Sequence, residues 1–127
     1  MAACLATLEV LEKEDGVARM KEAGEPICAG LREQATSLNL LVNVTGHPTM
    51  PYVKFVEEKD WQWTKIFAGE CAKLGLYVHL RHNWFVSTAI TDPLVKEILS
   101  ITERAFAAAK RVYTNIEGAR MSRQERS

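Results

Sequence analysis

His79 and His82 stand three residues apart, and H-x-x-H is one of the few short patterns that can hold a metal ion. On a helix that spacing puts both imidazoles on one face. Here it falls where a short apolar run passes into an irregular segment, and only His47 and Cys71 offer further ligands. The spacings match no zinc signature, so two ordinary hydrogen-bonded histidines and no metal site are expected. No Ser or Cys stands in a nucleophile-elbow context, and neither a G-x-G-x-x-G nor a phosphate-cradling lysine motif is present. Trp61, Trp63, Trp84 and Phe85 could stack nucleobases, but no basic stripe surrounds them, so core packing or a subunit contact is the expected use. Arg81 has the more informative setting, after a strand-like run, before an aromatic pair and close to Asn83. A guanidinium in such a loop grips a carboxylate through two parallel hydrogen bonds, which makes Arg81 the one substrate-binding candidate. The alternative reading is a plain surface arginine. No catalytic set emerges from motifs alone.

The elements that must position these residues follow from periodicity. Leu5, Leu8 and Leu11 begin a helical period that Asp15-Gly16 interrupts, with Gly16 as the expected terminator. Val17, Met20, Gly24, Ile27, Leu31, Ala35 and Leu38 form the apolar face of a second helix, in which Pro26 predicts a kink or a restart. From Asn39 the period becomes two. Leu40, Val42 and Val44, then Met50, Tyr52, Lys54 and Val56, flank a turn at Gly46-His47-Pro48-Thr49 and predict an antiparallel hairpin, with Pro51 favouring an edge. Asp60 is the expected cap of a third helix striped by Trp63, Ile66, Phe67, Cys71 and Leu74 and ended by Gly75. Leu76 to Leu80 and Val86 to Ile90 read as short strands. Asp92 as N-cap and Pro93 at the first helical position open a long helix whose buried face runs from Val95 to Tyr113. After Gly118 the tail carries Arg120, Arg123 and Arg126 and is expected to fray. The fold class is therefore α+β, a small mostly antiparallel sheet with helices packed on it.

Composition bounds the function classes. The chain has 127 residues, 47% hydrophobic and 25% charged, with 16 basic and 16 acidic side chains and no formal net charge. One domain fits this length. Zero net charge removes the basic signature of a dedicated nucleic-acid binder, and no apolar run approaches the ~20 residues that span a bilayer. Glu9, Glu12 and Glu14 come early with no basic region before an apolar stretch, so no signal peptide is expected and a cytoplasmic setting is. Cys4, Cys28 and Cys71 are odd in number and widely spaced, which predicts no disulfide framework and three buried, hydrophobe-like thiols.

Several stretches carry a resemblance. Met1-Ala2-Ala3-Cys4-Leu5-Ala6-Thr7-Leu8-Glu9-Val10-Leu11, Gly30-Leu31-Arg32, Thr45-Gly46 and Gly75-Leu76-Tyr77 resemble the class III aminotransferases. So do Asn83-Trp84-Phe85-Val86-Ser87-Thr88-Ala89-Ile90-Thr91-Asp92 and the Ala105-Phe106 of the long helix, and the glutamate-1-semialdehyde aminomutase group looks closest. The order and spacing hold over nearly all of residues 1–117. Two departures stand out: Ile90 where many relatives carry a histidine, and His79-Leu80-Arg81 where many carry a proline.

The resemblance implies the C-terminal small domain of a pyridoxal 5'-phosphate enzyme, over 1–117, followed by a basic tail over 118–127. In that family a lysine of the large domain, upstream of this segment, forms the Schiff base, because only a primary amine makes the imine. No lysine here stands in that context. The cofactor is accordingly expected in the parent transaminase or aminomutase and not on this chain alone, which would be inactive. The missing large domain is the implied partner, a homo-oligomer is expected, and Met1 reads as an internal methionine of a longer protein. Some relatives hold a substrate carboxylate with an arginine, which again singles out Arg81. The alternative function is a free-standing interaction or dimerisation module that kept the fold without the catalytic half.

Overall fold

The computed structural model describes residues 1–56, 58, 60–79 and 81–125, with side chains described as far as residue 112. Its elements are α1 (Ala2–Lys13), α2 (Gly16–Ser37), β1 (Val42–Thr45), β2 (Tyr52–Phe55), α3 (Gln62–Lys73) and α4 (Asp92–Glu125). The strands pair antiparallel, Val42 opposite Phe55 and Val44 opposite Val53, so the hairpin forms where the alternation places it. Gly46, at φ 90°, makes the turn possible, and a side chain there would also run into the Met50 carbonyl.

One core joins the layers. Phe67 on α3 and Phe106 on α4 meet with ring centroids 4.5 Å apart, and Phe55 of β2 approaches each of them at 6.3 and 6.0 Å. Trp84 stacks on Phe67 at 6.5 Å. Ile27, Leu31 and Ala35 on α2 close the other side. Between α2 and α4 the contact is partly polar. Gln34 donates through Nε2 to the Leu99 carbonyl (2.8 Å), and the fully buried Thr102 donates to Gln34 Oε1 (2.7 Å). Each buried polar group there finds a partner, as a low-dielectric interior requires.

Several expectations need correction. Helix α2 runs through Pro26 with neither break nor restart. Pro26 and Glu22 both face solvent, so water can take the carbonyl that the ring leaves without a donor. At the α1–α2 junction Asp15, not Gly16, adopts the left-handed conformation (φ 51°), and Gly16 opens α2 pressed against Leu11. Val17 sits on the exposed side of α2. Among the described residues Asp60 makes no cap bond: Trp61 holds the N-cap position of α3 without a side-chain cap bond, and Glu58 supplies the carboxylate instead. Helix α4 begins at Asp92, one position earlier than expected, with Thr91 accepting the first bond from Val95 (2.9 Å).

The two expected strands after α3 do not form at the described residues of 76–80 and 86–90; Leu80 lies outside them. The Trp84 N–H donates to Pro51 O (2.7 Å) and the Val86 N–H to Thr49 O (2.9 Å), so this stretch leans on the hairpin turn. Pro51 has no N–H to return, which stops a reciprocal ladder from growing. Cys28 and Cys71 are buried as expected, but Cys4 is exposed, because α1 buries no residue at all. The backbone of α4 stays helical past Gly118. The side chains of Tyr113, Arg120 and Arg123, and all of Arg126, lie outside the described residues.

Candidate functional site

Arg81 sits in the non-helical segment between α3 and α4, and three neighbours define its setting. Its backbone N–H donates to His79 Nδ1 (3.1 Å), which closes a tight local turn. Asn83 donates through Nδ2 to the Met50 carbonyl (3.1 Å), tying the same segment to the hairpin turn. The Arg81 guanidinium carbon lies 4.6 Å from the centre of the Trp61 ring. Lys54, pointing outward from β2, places Nζ 5.3 Å from the same ring centre. Cations within about 6 Å of an indole are held by its negative face.

Trp61 owes its placement to the turn before α3. Asp60 and Trp61 both adopt positive φ (52°), a conformation that bulky residues seldom take. Glu58 steadies that turn: the Thr64 N–H (3.2 Å) and hydroxyl (2.8 Å) both donate to Glu58 Oε2. Burial pushes the Glu58 carboxyl above the usual carboxylate range, while the Thr64 bonds and the Lys54 charge pull the other way. Among the described residues Glu58 Oε1 and Trp61 Nε1 are buried without a hydrogen-bond partner.

The sequence candidates therefore separate. His79 and His82 come together edge to face, ring centroids 5.0 Å apart, but no group of three potential metal ligands exists among the described residues. His47 is engaged elsewhere, with Nδ1 2.8 Å from Thr49 Oγ1. Cys71 is fully buried, and desolvation, with the Glu70 carboxylate adding to it, pushes its thiol up to about 12. Trp63 belongs to the core rather than to an exposed patch. Lys54 and Trp61 were not grouped with Arg81 by sequence reasoning. The one available signal was the outward register of Lys54 on the hairpin; the Trp61 contact is tertiary.

The described cavities do not suit a pyridoxal phosphate. The cavity of about 420 Å³ between α2 and α4 is lined by Glu33 and Glu103 beside Gly30, Gln34, Ser37 and Leu99. Its carboxylates repel a phosphate, and it contains no lysine to bond a carbonyl carbon. Two others of about 330 Å³ border α1 and also lack lysine.

Four helices around an antiparallel hairpin, with a bonded segment leading into the last helix, make up a transaminase domain fold. The FumI protein of Sphingopyxis sp. MTA144, solved in its PLP internal aldimine form, superposes with a TM-score of 0.84 at 34% identity, over 90% of this chain and 28% of that one. An omega-transaminase from Sphaerobacter thermophilus shares the fold at TM-score 0.65 and 15% identity, over 73% of this chain and 24% of its own. Among curated proteins, an aminopentol aminotransferase from Sphingopyxis macrogoltabida is 33% identical over 117 residues, covering 92% of this chain. A glutamate-1-semialdehyde 2,1-aminomutase from Myxococcus xanthus is 28% identical over 118 residues. No protein-family profile matches the chain. The chain is thus homologous to a segment of the class III pyridoxal-phosphate aminotransferases, and it spans about 28% of the length of the relatives it matches. No helix among the described residues is long and apolar enough to cross a membrane.

Proposed function

We propose that this chain is the small, C-terminal domain of a PLP-dependent aminotransferase or aminomutase, closing over the substrate pocket of a large domain that holds the cofactor. The alignment with an aminopentol aminotransferase over 92% of the chain carries this reading. Exposed apolar surface supports it. Leu5, Leu8 and Val10 on α1 are each more than half exposed, as are Tyr77 and Phe85 in the Arg81 segment, and a docked domain would cover them. Residues 1–117 form the domain and 118–127 an appended basic segment. Free Cys28 and Cys71 favour a reducing, cytoplasmic setting.

In this reading Arg81 faces the cleft and pairs with a substrate carboxylate. The test is a graft: residues 1–117 replace the matching segment of the aminopentol aminotransferase. A chimera that binds PLP and transaminates supports the assignment; one that binds PLP but turns over no substrate overturns it. In the active chimera, Arg81→Ala should raise KM for carboxylate substrates about tenfold, the worth of a lost charged hydrogen bond, and leave amines without a carboxylate nearly unchanged. Equal losses for both would make Arg81 structural. The second reading, a free-standing dimerisation module, rests on α1, which buries none of its residues. A stable dimer of a chain whose graft is inactive would favour it.

A further inference from the structure

Three consecutive carbonyls of the hairpin turn, those of Thr49, Met50 and Pro51, all accept from the one segment before α4. The Val86 N–H donates to Thr49 (2.9 Å), Asn83 Nδ2 to Met50 (3.1 Å) and the Trp84 N–H to Pro51 (2.7 Å). Two of these bonds come from the backbone and do not depend on side-chain type. The third needs an amide on a short stem, which asparagine supplies. Its acceptor is held from both sides. The Met50 N–H donates to His47 O (2.8 Å), and at Gly46 a Cβ would stand 2.6 Å from the Met50 oxygen and 3.7 Å from Asn83 Nδ2. Only glycine leaves that carbonyl free to face Asn83. Among the described residues Asn83 is the bond to the hairpin that lies nearest Arg81 in the chain. On the other side, the Arg81 N–H bonds His79 Nδ1 (3.1 Å), a contact between near neighbours within the same segment.

We propose that Asn83 is a positioning residue for Arg81: its bond to the Met50 carbonyl holds the backbone that carries Arg81 at a fixed place against the hairpin turn. The inference rests on the Arg81 reading above and deepens it by adding a residue that touches no substrate. Without the bond, Trp84 still anchors the segment to Pro51. The two residues between Trp84 and Arg81 then gain conformational freedom that substrate binding must remove. The guanidinium keeps its charge and its planar fork, so a loosened Arg81 binds more weakly but still binds.

The test has two arms. In the first, the intact chain is nitrogen-labelled and its amide exchange is followed by NMR. Asn83→Ala and Asn83→Leu, the second of which keeps the bulk and removes the donor, should each speed exchange at the Trp84 amide. The expected rise is about threefold, the scale of one exposed hydrogen bond, while amides in α3 and α4 keep their rates. An unchanged Trp84 rate, or an equal rise across α3 and α4, overturns the proposal. The second arm uses the active chimera. Both variants should raise KM for carboxylate substrates about threefold relative to amines without a carboxylate, and kcat for the carboxylate substrates should hold. In an Arg81→Ala background the same changes should add nothing to that ratio, because a residue acting through Arg81 has nothing left to position. Equal KM changes for both substrate classes, a fall in kcat, or full additivity with Arg81→Ala would each overturn it. Those failures leave the wider reading standing. A chimera that binds PLP without turnover removes the aminotransferase assignment, and an Arg81→Ala chimera with no carboxylate defect removes the role of Arg81; the positioning proposal falls with either.

Discussion

Cys4 and Cys71 carry the same thiol in opposite settings. Cys4 is exposed on α1, whereas Cys71 is fully buried and its thiol is pushed up to about 12, and burial raises Cys28 as well, against the pull of Arg32. Only the thiolate reacts, so an aromatic disulfide reagent at mildly alkaline pH should titrate one thiol quickly, with the other two slower by about 100-fold or more until the chain is unfolded. Three equivalent thiols would contradict the burial. Glu58 offers a second test at this scale. Its carboxyl is raised by burial, so the folded state holds the proton more tightly than the unfolded one. That contribution to stability is complete below the ordinary carboxylate range and is lost as pH rises through the raised value. Glu58→Gln keeps an acceptor for Thr64 and removes the titration. The variant should be more stable than the parent at neutral pH, by no more than about 1 kcal/mol because the group is partly screened, and match it in acid, as melting curves at the two pH values would show. A variant destabilised equally at both pH values would show that the Thr64 bonds need the charge.

The elements meet at positions where side-chain size decides. Gly24 on α2 passes so close to the hairpin turn that an added Cβ would fall on the Pro48 carbonyl oxygen, which is backbone and cannot step aside cheaply. Gly24→Ala should therefore cost about 2–3 kcal/mol, despite alanine's better helix propensity, and denaturant unfolding would measure it. Gly69, with open space around its α3 position, makes the control: Gly69→Ala should stabilise by up to about 1 kcal/mol. Gly24 also shows what the chain reveals about itself. Its place in the apolar stripe with Ile27 and Leu31 marked it as inward-facing, and the same periodicity located all four helices. The hairpin was legible because Val42 to Val44 and Tyr52 to Lys54 alternate around a Gly-Pro turn. The stretches Leu76 to Leu80 and Val86 to Ile90 were misread as strands at their described residues because apolar alternation reports burial, and Val86 is buried, but a ladder also needs donors that Pro51 lacks. At the candidate site the sequence offered Arg81 as a candidate through its aromatic and amide neighbours. Its contact with Trp61, twenty residues away, depends on tertiary packing that no local pattern encodes.

For the whole molecule, α1 is the open question that structure poses. It packs on α2, buries none of its residues and leaves Leu5, Leu8 and Val10 in water. Covering such a surface contributes about 25 cal/mol per Å², so several hundred Å² outweigh a modest association cost. The isolated chain should therefore self-associate at high concentration in sedimentation, and Leu5→Lys with Leu8→Lys should return it to monomer with the melting temperature within a degree or two of the parent. A parent that stays monomeric throughout would show that the apolar face is too small or too scattered. The same helix has a consequence in time. Its amides are protected by little beyond their own helical bonds, since no core residue would be exposed when α1 frays, so its opening is nearly independent of global unfolding. Amide exchange in α1 then runs on a clock separate from that of α3 and α4, fast when the face is bare and slow when something lies against it. The helix thus records its own occupancy, whether the cover is a second copy or the remainder of a longer enzyme.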